Sequence, residues 1–220
     1  MRDIKGLIFD MDGTLIENMA YHFAAFDELA RRYGYKHLRP VDSRYYGWNN
    51  LDIFPEIVPA ADLARLGADF LSKQKEIIYR ELYAGHVTLT AGLDALLADA
   101  KRCGVKCAIG SAGPRINVEF IMREAKLGDR MDAYVCLDDV TRCKPDPEIF
   151  LTACDRLGLA PHDCVVFEDG IPGIEAALAA GCVAVGVATT MPAKSLTDAG
   201  ADLVVRDFTG MTIASLAEGL

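Results

Sequence analysis

Short apolar runs at 6–9, 105–109, 133–137, 164–167, 183–187 and 203–205 constrain the fold of this chain more tightly than any other feature. Each is too short for a helix and lacks the polar alternation of a half-exposed strand, so each is predicted to be a strand buried on both faces. Amphipathic stretches at 91–103, 114–126, 147–157, 171–180 and 192–199 fill the intervals with helical periodicity. Strands alternating with helices require right-handed crossovers, which predicts an α/β fold: a doubly wound parallel sheet covered on both sides.

Residues 17–86 break that rhythm. Helical patterns at 19–33 and 60–83 flank a Gly/Asn-rich turn at 47–50, with no buried strand between them. The pattern predicts a small α-helical domain, 17–86, inserted into a core formed by 1–16 and 87–220. The paired connections near 16–18 and 85–90 permit hinge motion.

Charge and cysteine content narrow the function. Against 23 Lys and Arg stand 32 Asp and Glu, a formal charge of -9, which repels nucleic acid and anionic membrane over most of the surface. A phosphorylated ligand therefore needs a local cationic pocket. The cysteines number 7 with no CxxC, which argues against a disulfide framework or a zinc site and for reduced thiols, with Cys164 and Cys182 inside buried strands. Asp10 and Asp12 follow the first apolar run too soon for a secretory leader, and no segment approaches ~18 uninterrupted apolar residues. A cytoplasmic protein is expected.

Open α/β sheets bind ligands beyond the carboxyl ends of their strands, and the acids and polar residues fall there. Asp10 ends the first run, Ser111 follows the second, Glu168 and Asp169 follow the run 164–167, and Lys144 lies in a Lys-Pro-Asp-Pro turn opening a helix. If the backbone stays extended past the strand, Asp10 and Asp12 point the same way. Two close carboxylates stay ionised only beside a cation or a shared proton, and Asp169 adds an oxygen donor suited to Mg²⁺. Gly13 and Thr14 would form a turn whose N–H groups face an anion. The simpler alternatives are an acid pair in an Asp-Gly turn, and a helix N-cap for Ser111.

Asp10-Met11-Asp12-Gly13-Thr14-Leu15, Ser111, Lys144-Pro145-Asp146-Pro147 and Glu168-Asp169-Gly170-Ile171-Pro172-Gly173 resemble, in order and spacing, the four motifs of haloacid dehalogenase-like hydrolases. The resemblance spans essentially the whole chain. It implies that Asp10 is a nucleophile forming an aspartyl phosphate and a Mg²⁺ ligand. Asp12 would be the general acid and base, with its backbone carbonyl on the metal. Ser111 and Lys144 would hold the phosphoryl oxygens, Asp169 would complete the metal ligands, and Glu168 would act through a metal-bound water. Thr14, Ala112 and Arg115 are expected at the substrate, Arg115 having a surface ion pair as its alternative.

The inserted helices resemble the cap of the subgroup containing β-phosphoglucomutase and related sugar phosphatases. Tyr21-His22-Phe23 is similar to its hinge motif, and Lys75, four residues before Tyr79, to a cap lysine that reaches the site. The plainer readings are a structural histidine and, in a Lys/Glu-rich stretch, a solvated lysine. Where the mutase carries Gly-x-x-Arg, this chain has Gly47-Trp48-Asn49-Asn50. Asn50 cannot supply the cation that grips a second phosphate, and Trp48 is either a substrate contact or a core residue. The resemblance thus implies a Mg²⁺-dependent phosphatase of a small phosphorylated metabolite, a sugar phosphate, working as a monomer. The alternatives are a phosphosugar mutase and a silent phospholigand-binding protein.

Overall fold

The computed structural model describes residues 3–40 and 50–220. The chain divides into two compact units, Met1–Glu17 with Thr88–Leu220, and Asn18–Val87.

The larger unit is built on a parallel sheet of order β3-β2-β1-β4-β5-β6. Its strands are β1 (Gly6–Phe9), β2 (Lys106–Gly110), β3 (Ala133–Val135), β4 (Cys164–Glu168), β5 (Val183–Val187) and β6 (Leu203–Val205). The helices are α5 (Leu93–Cys103), α6 (Arg115–Glu124), α7 (Glu148–Leu157), α8 (Ile171–Ala179), α9 (Ala193–Asp198) and α10 (Ile213–Gly219). β1 is buried throughout and pairs with both β2 and β4, with Phe9 opposite Ile109 on one side and Phe167 on the other. The chain winds outward from β1 to β3, then returns to β4, so the switch in strand order falls at β1.

Side-chain alternation divides the core between the two faces. Ile8, Ala108 and Val166 pack with Phe150 of α7, Ile174 of α8 and Leu196 of α9. On the other face Phe9 stacks on Phe167 at 5.0 Å between ring centroids, and Phe208 meets both rings edge-on. The outer strands β3 and β6 are only partly buried, since each lacks a neighbour on one side.

The smaller unit comprises α1 (Met19–Tyr33), α2 (Asn50–Ile57), α3 (Ala60–Leu66) and α4 (Ala68–Tyr83). Phe26 and Leu29 of α1, Ile53 and Phe54 of α2, and Leu71, Ile78 and Tyr79 of α4 form its core. The helix expected over 60–83 is two helices. Gly67 separates them at φ 81°, ψ 140°, a conformation open to glycine and strained for other residues. Among the described residues, no helix is long and apolar enough to cross a membrane.

Candidate active site

Asp10 leaves β1 with its N–H still in the sheet, donating to the Phe167 carbonyl at 2.9 Å. The extended backbone ends there. Leu15 and Ile16 donate back to the carbonyls of Asp10 and Met11, and Gly13 donates to Ile16 at 2.8 Å. This turn holds Gly13 at φ 86°, where a Cβ would also run into Asp169 Oδ2 and Thr190 Oγ1. Glycine is thus required twice over, by conformation and by space.

Glu168 closes β4 and Asp169 follows it; both are buried. Gly173, in the first turn of α8, leaves the Glu168 carboxylate the space a Cβ would occupy. Lys144 spans the gap between strands. Its Nζ donates to Asp10 Oδ1 at 2.6 Å, Glu168 Oε1 at 2.5 Å and the Gly110 carbonyl at 2.9 Å, and lies 4.9 Å from the centre of the Phe150 ring. Its side chain is 4% exposed.

One lysine does not balance the acids around it. Burial, with Glu168, Asp169 and Asp12 nearby, holds the Asp10 carboxyl well above the usual carboxylate range even though Lys144 pulls it down. Burial and Glu168 push Asp169 up to about 7, against a hydrogen bond from Thr190. Burial opposes charge on Lys144, yet Asp10 and Glu168 together hold it above the ordinary lysine value. One oxygen each of Asp10, Glu168 and Asp169 lies within 4.8 Å of the others. Three buried, hard oxygen donors with excess negative charge fit a small divalent cation. The Asp12 side chain is not among these three.

Ser111 follows β2 with its N–H on the Val135 carbonyl, and its Oγ accepts from Gly113 N–H at 3.0 Å. It is not a helix cap, because α6 starts at Arg115 with Pro114 in the capping position. A Cβ on Gly113 would lie 3.1 Å from Ser111 Oγ and 3.8 Å from Asp12 Oδ2, so the hydroxyl and that carboxylate flank the same glycine. Ala112, between Ser111 and Gly113 in the chain, is partly buried. Thr14 is fully buried; its Oγ1 approaches Asp169 Oδ1 at 3.4 Å and its carbonyl accepts from Thr90 Oγ1 at 2.7 Å. Arg115 Nη2 donates to Asp139 Oδ1 at 2.6 Å, and its guanidinium lies over the Tyr134 ring.

Within the helical unit, His22, Asn50 and Lys75 belong to one polar network. Lys75 Nζ lies 2.5 Å from His22 Nδ1 and 2.8 Å from Glu76 Oε1, which also accepts from Asn50 Nδ2 at 2.5 Å. His22 stacks on Tyr79 at 4.1 Å, and Asn18 Nδ2 reaches both His22 Nε2 and the Tyr79 hydroxyl. The solvated reading of Lys75 is overturned: it is 2% exposed, between the Phe26 and Tyr79 rings. Trp48 and Asn49 lie outside the described residues.

Sequence reasoning missed Thr189 and Thr190, whose hydroxyls engage the Gly13 carbonyl and Asp169. They follow β5 by the same strand-end rule that located Asp10 and Ser111, so that rule could have found them. It also missed Asn18 and Glu76, for which no strand end gives a signal.

A parallel sheet interrupted by a helical insertion, with carboxylates and a lysine gathered where the strand order switches, defines an α/β protein with its candidate site at the switch point. Residues 4–181 match the model of the haloacid dehalogenase-like hydrolases, and the chain belongs to that family. It is 31% identical to β-phosphoglucomutase of Bacillus subtilis, over 98% of this chain and 95% of that protein. It is 29% identical to a phosphorylated carbohydrates phosphatase of Thermotoga maritima, over 92% and 94%. Among solved structures, a HAD hydrolase of family IA, variant 3, from Entamoeba histolytica superposes with a TM-score of 0.86 at 27% identity, covering 98% of this chain and 99% of that one.

Proposed function

We propose that this chain is a Mg²⁺-dependent phosphatase acting on a small phosphorylated metabolite, a sugar phosphate, through an aspartyl-phosphate intermediate. The observation that carries the reading is the buried constellation of Asp10, Lys144, Glu168 and Asp169 at the switch point. Asp10 attacks phosphorus as the bond to the leaving oxygen breaks, and Asp12 gives that oxygen its proton. Asp12 then takes a proton from water, whose oxygen displaces Asp10 and releases inorganic phosphate. Lys144, with Ser111, Thr14 and Ala112 nearby, neutralises and orients the phosphoryl oxygens. Asp10, Asp169 and Glu168, with the Asp12 carbonyl, would hold Mg²⁺, which supplies charge neutralisation as phosphoryl transfer proceeds. His22, Asn50, Lys75, Arg115 and Trp48 are assigned to selecting the rest of the substrate. The reading includes a cytoplasmic monomer that binds neither nucleic acid nor membrane.

Identity to a mutase supports a second reading, isomerisation of a phosphosugar. Against it, Asn50 stands in place of the arginine that would retain a second phosphate, and its amide is engaged by Glu76. Phosphate release by the purified chain, with and without Mg²⁺, over a panel of sugar phosphates, nucleotides and pyrophosphate separates these. Mg²⁺-dependent release with a clear preference is expected. Conversion of β-glucose 1-phosphate to glucose 6-phosphate without release would establish the mutase, and silence on every compound would favour a binding protein.

Mg²⁺ binding is also expected to depend on pH. Asp169 titrates at about 7 in the folded chain against an ordinary 3.8. Between those values the folded state holds more protons than the unfolded one, so the metal-free chain loses stability as pH rises toward 7. The cation requires the ionised carboxylate, so its stabilising effect grows over the same interval. At a fixed concentration a hundredfold above its Kd at pH 7.5, Mg²⁺ should raise Tm by roughly 5–10 °C at that pH and by much less at pH 5.5. Equal shifts at both pH values, read by calorimetry, would contradict this linkage.

A further inference from the structure

Cys154, Cys164 and Cys182 gather at the amino-terminal edge of the sheet, the opposite edge from the carboxylate cluster. Cys154 lies in the second half of α7, Cys164 opens β4, and Cys182 immediately precedes β5. The sulfurs of Cys154 and Cys182 are 3.8 Å apart. A disulfide needs about 2.05 Å, a closure on the scale of a side-chain rotation. The two thiols are not equally enclosed. Cys182 is 6% exposed and lines a groove of about 460 Å³, shared with Asp3, His162, Asp163 and Asp202, whereas Cys154 is 1% exposed.

We propose that Cys154 and Cys182 form a redox-modifiable pair, joined as an intramolecular disulfide by a small peroxide entering that groove. Peroxide delivers one oxygen to Cys182 Sγ; its O–O bond breaks, a sulfenic acid forms and the first water leaves. Cys154 Sγ then attacks that sulfur, the S–O bond breaks and the second water leaves. The two thiols lose two electrons and their protons, and the peroxide accepts both. A hydrogen bond joins the Cys154 and Cys182 sulfurs, either of which can donate it, and keeps the two aligned for that attack. The bond to Cys154, and burial, push Cys182 up, so the first step is slow. Three carboxylates on the groove favour a neutral oxidant over an anionic disulfide such as oxidised glutathione.

The test is peptide mapping of the intact chain after hydrogen peroxide treatment and alkylation without reduction. A loss of about 2 Da is expected, with a fragment linking Cys154 to Cys182 that dithiothreitol reverses. Oxidised glutathione at equal concentration should produce the link several-fold more slowly. Exposed Cys103 and half-buried Cys143 are removed in a Cys103→Ser, Cys143→Ser background to suppress links between molecules. In that background Cys164→Ser should retain the link and Cys182→Ser should lose it. A link through Cys164 instead, oxygen addition without any link, or unchanged alkylation of both thiols would overturn the proposal, and the mapping of the intact chain does not depend on any variant folding.

Discussion

Asp10→Asn is expected to abolish phosphate release, by about 10³-fold or more, while leaving the chain as stable as before or more so. The amide fills the same space but offers no anionic oxygen to phosphorus, so the covalent step has no nucleophile. Stability should not suffer because an ionised Asp10 is costly in this site. Burial and the neighbouring carboxyl groups work against its ionisation, and Lys144 only partly compensates. Removing one negative charge eases that repulsion and leaves Glu168 to pair with Lys144. Steady-state kinetics and a thermal melt on the same sample separate the two effects. Activity within tenfold of the parent in a folded variant would show that another group attacks the phosphorus.

Lys144→Ala should damage both properties at once. Lys144 joins two buried carboxylates and a strand-end carbonyl, so its loss strands negative charge where water cannot reach it. Breaking a buried pair from one side costs about 3–5 kcal/mol, and in a chain of this size each of these lowers Tm by roughly 2–4 °C. The phosphoryl oxygens lose their cation as well, so kcat/KM should fall by about 10²-fold or more. Denaturant titration reads the first effect. Adding Glu168→Gln should recover part of the stability and none of the rate, because the amide removes an uncompensated charge without restoring the cation. A single variant within 1 kcal/mol of the parent would mean that the carboxyl groups are paired by something else.

Much of this was legible because the signals are local. A run such as Val183 to Val187 is unbroken by polar residues because β5 is buried on both faces, and composition alone reveals it. The acids were legible for a topological reason: residues after a central parallel strand cannot avoid its carboxyl end. What escaped depended on packing or on single residues. The break at Gly67 depends on the backbone conformation of one residue, which periodicity does not register. α2 is not anticipated because Asn50 falls in the expected turn and no helix is read before 60, whereas burial of Ile53 and Phe54 holds the segment helical. The solvated alternative for Lys75 rests on local composition, whereas Leu71, Lys75, Ile78 and Tyr79 share one stripe of α4, and that stripe is the buried one. α10 follows the last strand and carries only Leu216 and Ala217 inward, too few for a periodic signal.

The insertion leaves and rejoins the sheet unit at nearly one point. Ile16 bridges antiparallel to Leu89, Thr90 N–H donates to the Leu15 carbonyl at 2.9 Å, and β1 and β2 keep their register with Gly6 opposite Lys106. Seen from the sheet, some seventy residues occupy the place of a single loop whose ends are already clasped. Whatever is spliced between those ends need match only a gap of strand-pair width, so lineages and protein engineers alike are free to exchange it. The socket fixes where a new module attaches and leaves its length, sequence and fold open to change.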